Sequence, residues 1–133
     1  MNVFRFAAIF WAVLALALNA YIHFTLAPGV VSVEGALMSL STLYLIEAAV
    51  NVLAAILLIV RPRVWTAVFA ILVALAGLAM LVASVWMPVH LPFGLPMVPM
   101  SSWTSAKAVS AAAQFLVLFS GTIIAVMGRP RAR

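Results

Sequence analysis

The chain has 133 residues, of which 68% are hydrophobic and only 7% charged. A soluble domain carries about a quarter charged residues to cover its surface, so a water-soluble fold is excluded. The formal net charge of +5 would point to nucleic acid in a soluble chain. Here the basic residues flank apolar runs, so they read as topology signals and no nucleic-acid partner is expected. The chain has no cysteine, which rules out disulfides, thiolate metal sites, iron–sulfur clusters and thiol redox chemistry.

Crossing the hydrocarbon core takes about 20 apolar residues, and four runs are long enough. The first covers 4–26 and stops before Pro28-Gly29. Arg5 precedes it as in a secretory signal, but the run is too long for a signal h-region and is expected to be a retained span. The second covers 36–60 and stops at Arg61-Pro62-Arg63. The third covers 64–87 and stops at Pro88. The fourth covers 107–127 and stops at Gly128-Arg129-Pro130. A Pro or Gly stands at each end where a helix stop is expected. The expectation is an all-α membrane protein, a four-helix transmembrane bundle forming one domain over 1–133.

Arg5, Arg61, Arg63, Arg129, Arg131 and Arg133 fall on one side of such a bundle and Lys107 on the other. By the positive-inside rule both termini are cytoplasmic, in a multi-pass protein of the cell membrane. Trp65 falls at the inner interface, and Trp86 and Trp103 at the outer one. The second and third spans are joined by three residues and must form an antiparallel hairpin. The long external connection, 88–106, is too apolar for a free loop. It is expected to fold back on the bundle or to meet a partner. Ala8 and Ala12, Ala79 and Ala83, and Gly121 and Ala125 have the spacing that lets helices approach closely in lipid.

Polar side chains inside a membrane are costly unless paired, and each is a candidate site residue. Glu47 lies near mid-span with Asn51 one turn below it on the same face, and Tyr44 close by. An isolated carboxylate there must be protonated or held by donors. It reads either as a proton, cation or substrate site or as a hydrogen-bonded link to Asn51 or to another helix. Asn19 and His23 lie at i and i+4 on the first span. Lys107, Ser110 and Gln114 form a helical stripe on the fourth. At about 1.5 Å rise per residue, Asn19, Glu47 and Gln114 reach similar depths. One outward-opening polar cavity lined by Asn19, His23, Glu47, Gln114 and Lys107 is therefore expected. The third span, with Ser84 at this end, is expected to face mostly lipid or a partner. Glu34 and Lys107 lie at one level, as an exposed ion pair or as two solvated charges. His23 and His90 could ligate haem or a metal. His90 with Met87, Met97 and Met100 has the makings of a soft copper loop, but no Met-x-x-Met array extends beyond Met97 and Met100. Apolar packing is the expected role, with no metal assigned and no cofactor identified.

Gly94-Leu95-Pro96, followed by Trp103-Thr104-Ser105-Ala106-Lys107-Ala108-Val109-Ser110, resembles a group of small four-span bacterial membrane proteins of unassigned function. Those proteins carry G-x-L-P, an acidic M-Y-E-P-like stretch, then W-x-x-x-K-x-x-S entering the last helix, commonly with a Glu seven residues after the Lys. Trp103, Lys107 and Ser110 match. Gln114 stands in place of that Glu, and Met97-Val98-Pro99-Met100 replaces the acidic stretch. The resemblance implies the four-span architecture and marks these residues, but brings no function.

Phosphate loops, nucleophile elbows and zinc-protease motifs are absent, and two acidic residues at different depths make a poor acid–base pair. Enzymatic activity is not expected. Small size, an apolar third span and a sticky external loop favour an accessory or assembly subunit of a larger membrane complex, or a homo-oligomer. A small proton-coupled carrier using Glu47 and a quinone- or haem-binding protein are the alternatives.

Overall fold

A computed structural model describes residues 3–128. Arg129, Arg131 and Arg133, assigned above to the cytoplasmic side, lie outside the described residues. The elements are α1 (Val3–Leu26), a 3-10 turn (Ala27–Gly29), α2 (Leu40–Val60), α3 (Val64–Trp86) and α4 (Ser105–Met127). Each helix is long and apolar enough to cross a membrane; 21 to 24 residues extend about 32–36 Å against a hydrocarbon core of about 30 Å. The chain is a multi-pass integral membrane protein with an all-α fold. Among the described residues the only β-pairing is two isolated bridges.

Local chemistry sets the helix starts. α2 begins at Leu40 rather than 36, because the Ser39 hydroxyl accepts from the Thr42 N–H at 3.2 Å. Gly35 and Met38 pair across the turn before it. The Thr104 hydroxyl caps α4 in the same way through the Lys107 N–H, and this starts the helix at Ser105. At α3 the Thr66 hydroxyl accepts from the Arg63 N–H and donates to the Arg61 carbonyl, which stiffens the three-residue α2–α3 turn.

The helices alternate in direction. The α2–α3 turn, the start of α1 and the end of α4 share one end, here the basic end, where the Arg5 guanidinium donates to the Pro62 carbonyl. The α1–α2 and α3–α4 connections share the other, the loop end. Around the bundle the order is α2, α1, α4, α3. The α1–α2, α1–α4 and α3–α4 interfaces are extensive. The α2–α3 interface is by far the smallest, although those helices are adjacent in sequence.

Size segregation is the reverse of a soluble core. Ala8, Ala12, Ala15, Ala54, Ala67, Ala70 and Ala74 are buried, while Phe4, Phe10, Trp11, Phe115 and Phe119 point outward. Small residues let backbones approach closely, and burial of large side chains brings little gain when the surrounding solvent is itself hydrocarbon. Leu16, Leu58, Val117 and Ile124 fill what remains. Ala8 and Ala12 belong to this core. Ala79 does not: it is exposed, because the buried stripe of α3 runs through Ala67, Ala70, Ala74 and Ser84 instead.

Candidate ligand-binding site

In its loop-end half the bundle interior is polar. Asn19, Asn51, Ser110 and Gln114 are 0%, 1%, 2% and 1% exposed, and they form one continuous hydrogen-bonded chain. Gln114 Nε2 donates to Ser110 Oγ at 3.1 Å. Ser110 Oγ donates to Asn19 Oδ1 at 2.5 Å. Asn19 Nδ2 donates to Asn51 Oδ1 at 3.1 Å. Asn51 Nδ2 donates to both the Glu47 carbonyl, at 2.8 Å, and Glu47 Oε1, at 3.1 Å. The chain links α4, α1 and α2. In hydrocarbon, where no solvent competes, such a chain is how buried amides are satisfied.

The direction of this chain follows from one atom. A backbone carbonyl only accepts, so the Asn51 atom facing the Glu47 carbonyl must be its nitrogen. Asn51 therefore offers its oxygen to Asn19. Asn19 must answer with nitrogen, its own oxygen takes the Ser110 proton, and Gln114 must present nitrogen to Ser110. Gln114 Oε1 is thereby turned toward α3. It is buried and has no protein hydrogen-bond partner. It rests against Gly77, as does Glu47 Oε1; a Cβ on residue 77 would collide with both oxygens.

Above this chain lies a part-open cavity of about 100 Å³. His23 of α1, Tyr44 and Glu47 of α2, Gly77 and Ser84 of α3, and Lys107 and Ser110 of α4 line it, with Leu43, Met80, Leu81 and Val98 supplying apolar wall. His23 Nδ1 lies 2.9 Å from the Asn19 carbonyl. That oxygen can only accept, so Nδ1 carries the proton and Nε2 is the free nitrogen of the neutral ring. The imidazole also leans on Tyr44, with ring centroids 5.4 Å apart. Lys107 Nζ donates to Ser84 Oγ at 3.1 Å and to the Ser101 carbonyl at 2.9 Å. These bonds tie α4, α3 and the α3–α4 connection together at the mouth.

That connection folds back over the bundle. Val89 and Val98 pair as an antiparallel bridge, Ser101 N–H donates to the Ser84 carbonyl, and Leu37 N–H donates to the Gly94 carbonyl at 2.7 Å. Gly35 is required there, since a Cβ would stand within 2.7 Å of the 94–96 backbone.

Several expectations are corrected. Asn19 and Gln114 do not line the cavity with His23, Glu47 and Lys107. They are sealed beneath it with Asn51, because amides that satisfy one another need no opening. Of the two readings of Glu34 and Lys107 the unpaired one holds: no ion pair joins them, and the Lys107 ammonium is taken by Ser84 and Ser101. From the α3–α4 connection it is Val98 that faces the cavity, not His90, Met97, Met100 or Trp103. His90, Met100 and Trp103 are exposed, so His23 and His90 do not share a site. Among the described residues no group of three or more His, Asp or Glu side chains comes together. α3 is exposed along much of its length, but it also supplies Gly77 and Ser84 to the site. Gly77 escaped the sequence reading. Its signal was a lone glycine inside an apolar helix, costing about 1 kcal/mol relative to alanine and so needing a packing reason.

No protein-family model, curated protein or solved structure matches this chain.

Proposed function

We propose that this protein holds the polar head of a small lipophilic ligand in the loop-end cavity, while the rest of the ligand lies in the bilayer beside the α2–α3 seam. The observation that carries this reading is a part-open, largely apolar cavity into which His23, Tyr44, Glu47, Ser84, Lys107 and Ser110 bring polar groups, bordered by the weakest of the four helix interfaces. Tyr44 and Glu47 of α2 and Met80 of α3, which line the cavity at that seam, are half-buried rather than buried. Size narrows the ligand. A cavity of about 150 Å³ takes up a benzene, and sites for whole drug-sized molecules run about 300–1,000 Å³. A cavity of about 100 Å³ therefore takes a head group, and is far too small for a porphyrin.

The test is native mass spectrometry of the protein extracted in mild detergent, beside a variant of Ala106, an α4 residue in the cavity wall, whose replacement Ala106→Phe fills the cavity. One lipophilic molecule retained per chain, and lost in the variant, is the expected result. The same retained molecules in both proteins would refute the reading.

An accessory-subunit role is a second reading. A groove of about 440 Å³ on the α1–α4 face, lined by Phe4, Trp11, Phe119 and Met127, gives a neighbouring transmembrane helix a place to lie. Stoichiometric co-purification of a larger membrane protein would establish it. A proton-coupled carrier would use the half-buried Glu47 carboxyl as its proton site, and unchanged transport after Glu47→Gln would remove it. The likeness to small four-span bacterial proteins belongs among these proposals, as do a cell-membrane location and cytoplasmic termini. Since the chain has no cysteine, single cysteines at Arg63 and Ser102 report sidedness directly. Labelling of Arg63→Cys but not Ser102→Cys from outside the cell would reverse the assigned orientation.

A further inference from the structure

Beside Gly77, at the bottom of the cavity, two oxygen acceptors come together: Glu47 Oε1, which takes one bond from Asn51, and just beneath the lining Gln114 Oε1, which has no donor. Gln114 Oε1 is forced toward α3 by the polarity of the buried amide chain, which the Glu47 carbonyl sets. It is buried with no protein partner. Glu47 Oε1 stands on the same side of Gly77, and both oxygens lie within 2.9 Å of the position a Cβ there would take. At most about 6 Å therefore separates them. An unmatched acceptor inside a low-dielectric site is an open demand for a donor.

From this we infer that the ligand's head is a protonated primary or secondary amine, whose N–H groups bridge Glu47 and Gln114. The inference rests on the ligand-binding reading above and specifies its chemistry. A nitrogen making charge-assisted bonds of about 2.7–2.9 Å to each oxygen spans the gap. A hydroxyl has one proton and can serve only one of the two oxygens. A quinone carbonyl has none and would meet only acceptors at the floor. Glu47 supplies the countercharge, and the cation of this site does not compete for it: Lys107 Nζ is held at the mouth by Ser84 and Ser101. Glu47 is half-buried and lines the cavity beside the buried Gln114 oxygen, so the amine reaches that oxygen by drawing the Glu47 carboxylate toward itself and away from it. Tyr44 and His23 flank the path inward, and an aromatic face beside an entering cation is favourable. Gly77 completes the subsite by leaving the space that both oxygens occupy.

The experiment is calorimetric titration of octylammonium, octanol and octyltrimethylammonium into the full-length protein in nanodiscs, with empty nanodiscs subtracted. Wild type, Glu47→Gln, Gln114→Leu and Ala106→Phe are compared. Octylammonium should bind about tenfold or more tighter than either analogue. That preference should vanish in Glu47→Gln and shrink in Gln114→Leu, which keeps the charge and loses only the second acceptor. If octyltrimethylammonium binds as tightly as octylammonium, or if Gln114→Leu leaves the preference intact, the bridging role is overturned. If all three probes bind alike and Ala106→Phe abolishes them all, the cavity reading survives and the amine assignment falls. If no probe binds above empty nanodiscs, or if Ala106→Phe changes nothing, both fall together.

Discussion

The two halves of this bundle are built from the same four helices and solve opposite problems. In the basic-end half, the inward stripes of α1, α2 and α3 are mostly alanine, that of α4 is Val117, Ser120, Gly121 and Ile124, and the interior is close-packed. In the loop-end half the same stripes continue as Asn19, Glu47 with Asn51, and Ser110 with Gln114, and the interior holds a cavity. On α4 the change occurs along one line of side chains: Ser110 and Gln114 give way to Val117, Gly121 and Ile124, with the small Ser120 beside them. The difference teaches that close packing and a polar interior are separable in a membrane bundle. Small residues allow close backbone approach in one half. Amides prop the helices at a fixed distance in the other, because each needs its partner.

The comparison can be broken from either side. The largest expected effect is in the closed half. Leu58→Ala removes a fully buried side chain with nothing free to fill the space, and should destabilise the bundle by about 2–5 kcal/mol. Leu43→Ala, on a wall that already borders a cavity, should cost clearly less. Unfolding of both variants by denaturing detergent measures the contrast, and equal losses would mean that the halves do not differ in packing.

Next in size is Gly77→Ala. Its methyl group would collide with Gln114 Oε1 and Glu47 Oε1, an overpacking of about 1–3 kcal/mol in the same assay. Stability matching wild type would show that the two oxygens do not rest on α3. Asn19→Leu cuts the amide chain at its centre, leaving Ser110 and Asn51 each one partner short. Interhelical hydrogen bonds in membranes average about 0.6 kcal/mol and reach about 1.7, so a loss near the upper figure is expected. The double variant Asn19→Leu with Asn51→Leu should lose less than the two single losses added together, since they break one shared bond. Strict additivity in that cycle would mean the chain is not a unit. The smallest effect is at Glu34, which is exposed and unpaired with Lys107. Glu34→Gln should shift stability by less than about 0.5 kcal/mol, and a larger loss would reveal a partner at the loop end.

Much of the candidate site was legible in the sequence because polar residues in apolar runs have few ways to be satisfied. Depth counting placed Asn19, Glu47 and Gln114 at a common level, and Glu47 with Asn51 on one helix face. It could not divide them into a sealed chain and an open wall. That division depends on rotation of each helix about its axis, which apolar flanks on every side do not specify. It also missed that α3 takes part, since a glycine contributes by what it lacks. The α3–α4 connection was recognisable as too apolar to float free, yet that it offers Val98 to the cavity and Gly94 to Leu37 depends on how the two loops meet.

By itself the sequence determined the class, the number of spans and their alternation, because a hydrocarbon slab of fixed thickness imposes the length and apolarity of whatever crosses it. Tertiary structure alone decided which helices touch. α2 and α3, joined by three residues, became the loosest pair, and Gly77 of α3 came to rest against Glu47 and Gln114. The physical reason is that lipid accepts any apolar face equally well. In a membrane, helix orientation is chosen by close packing of small residues and by the partners that buried amides can find.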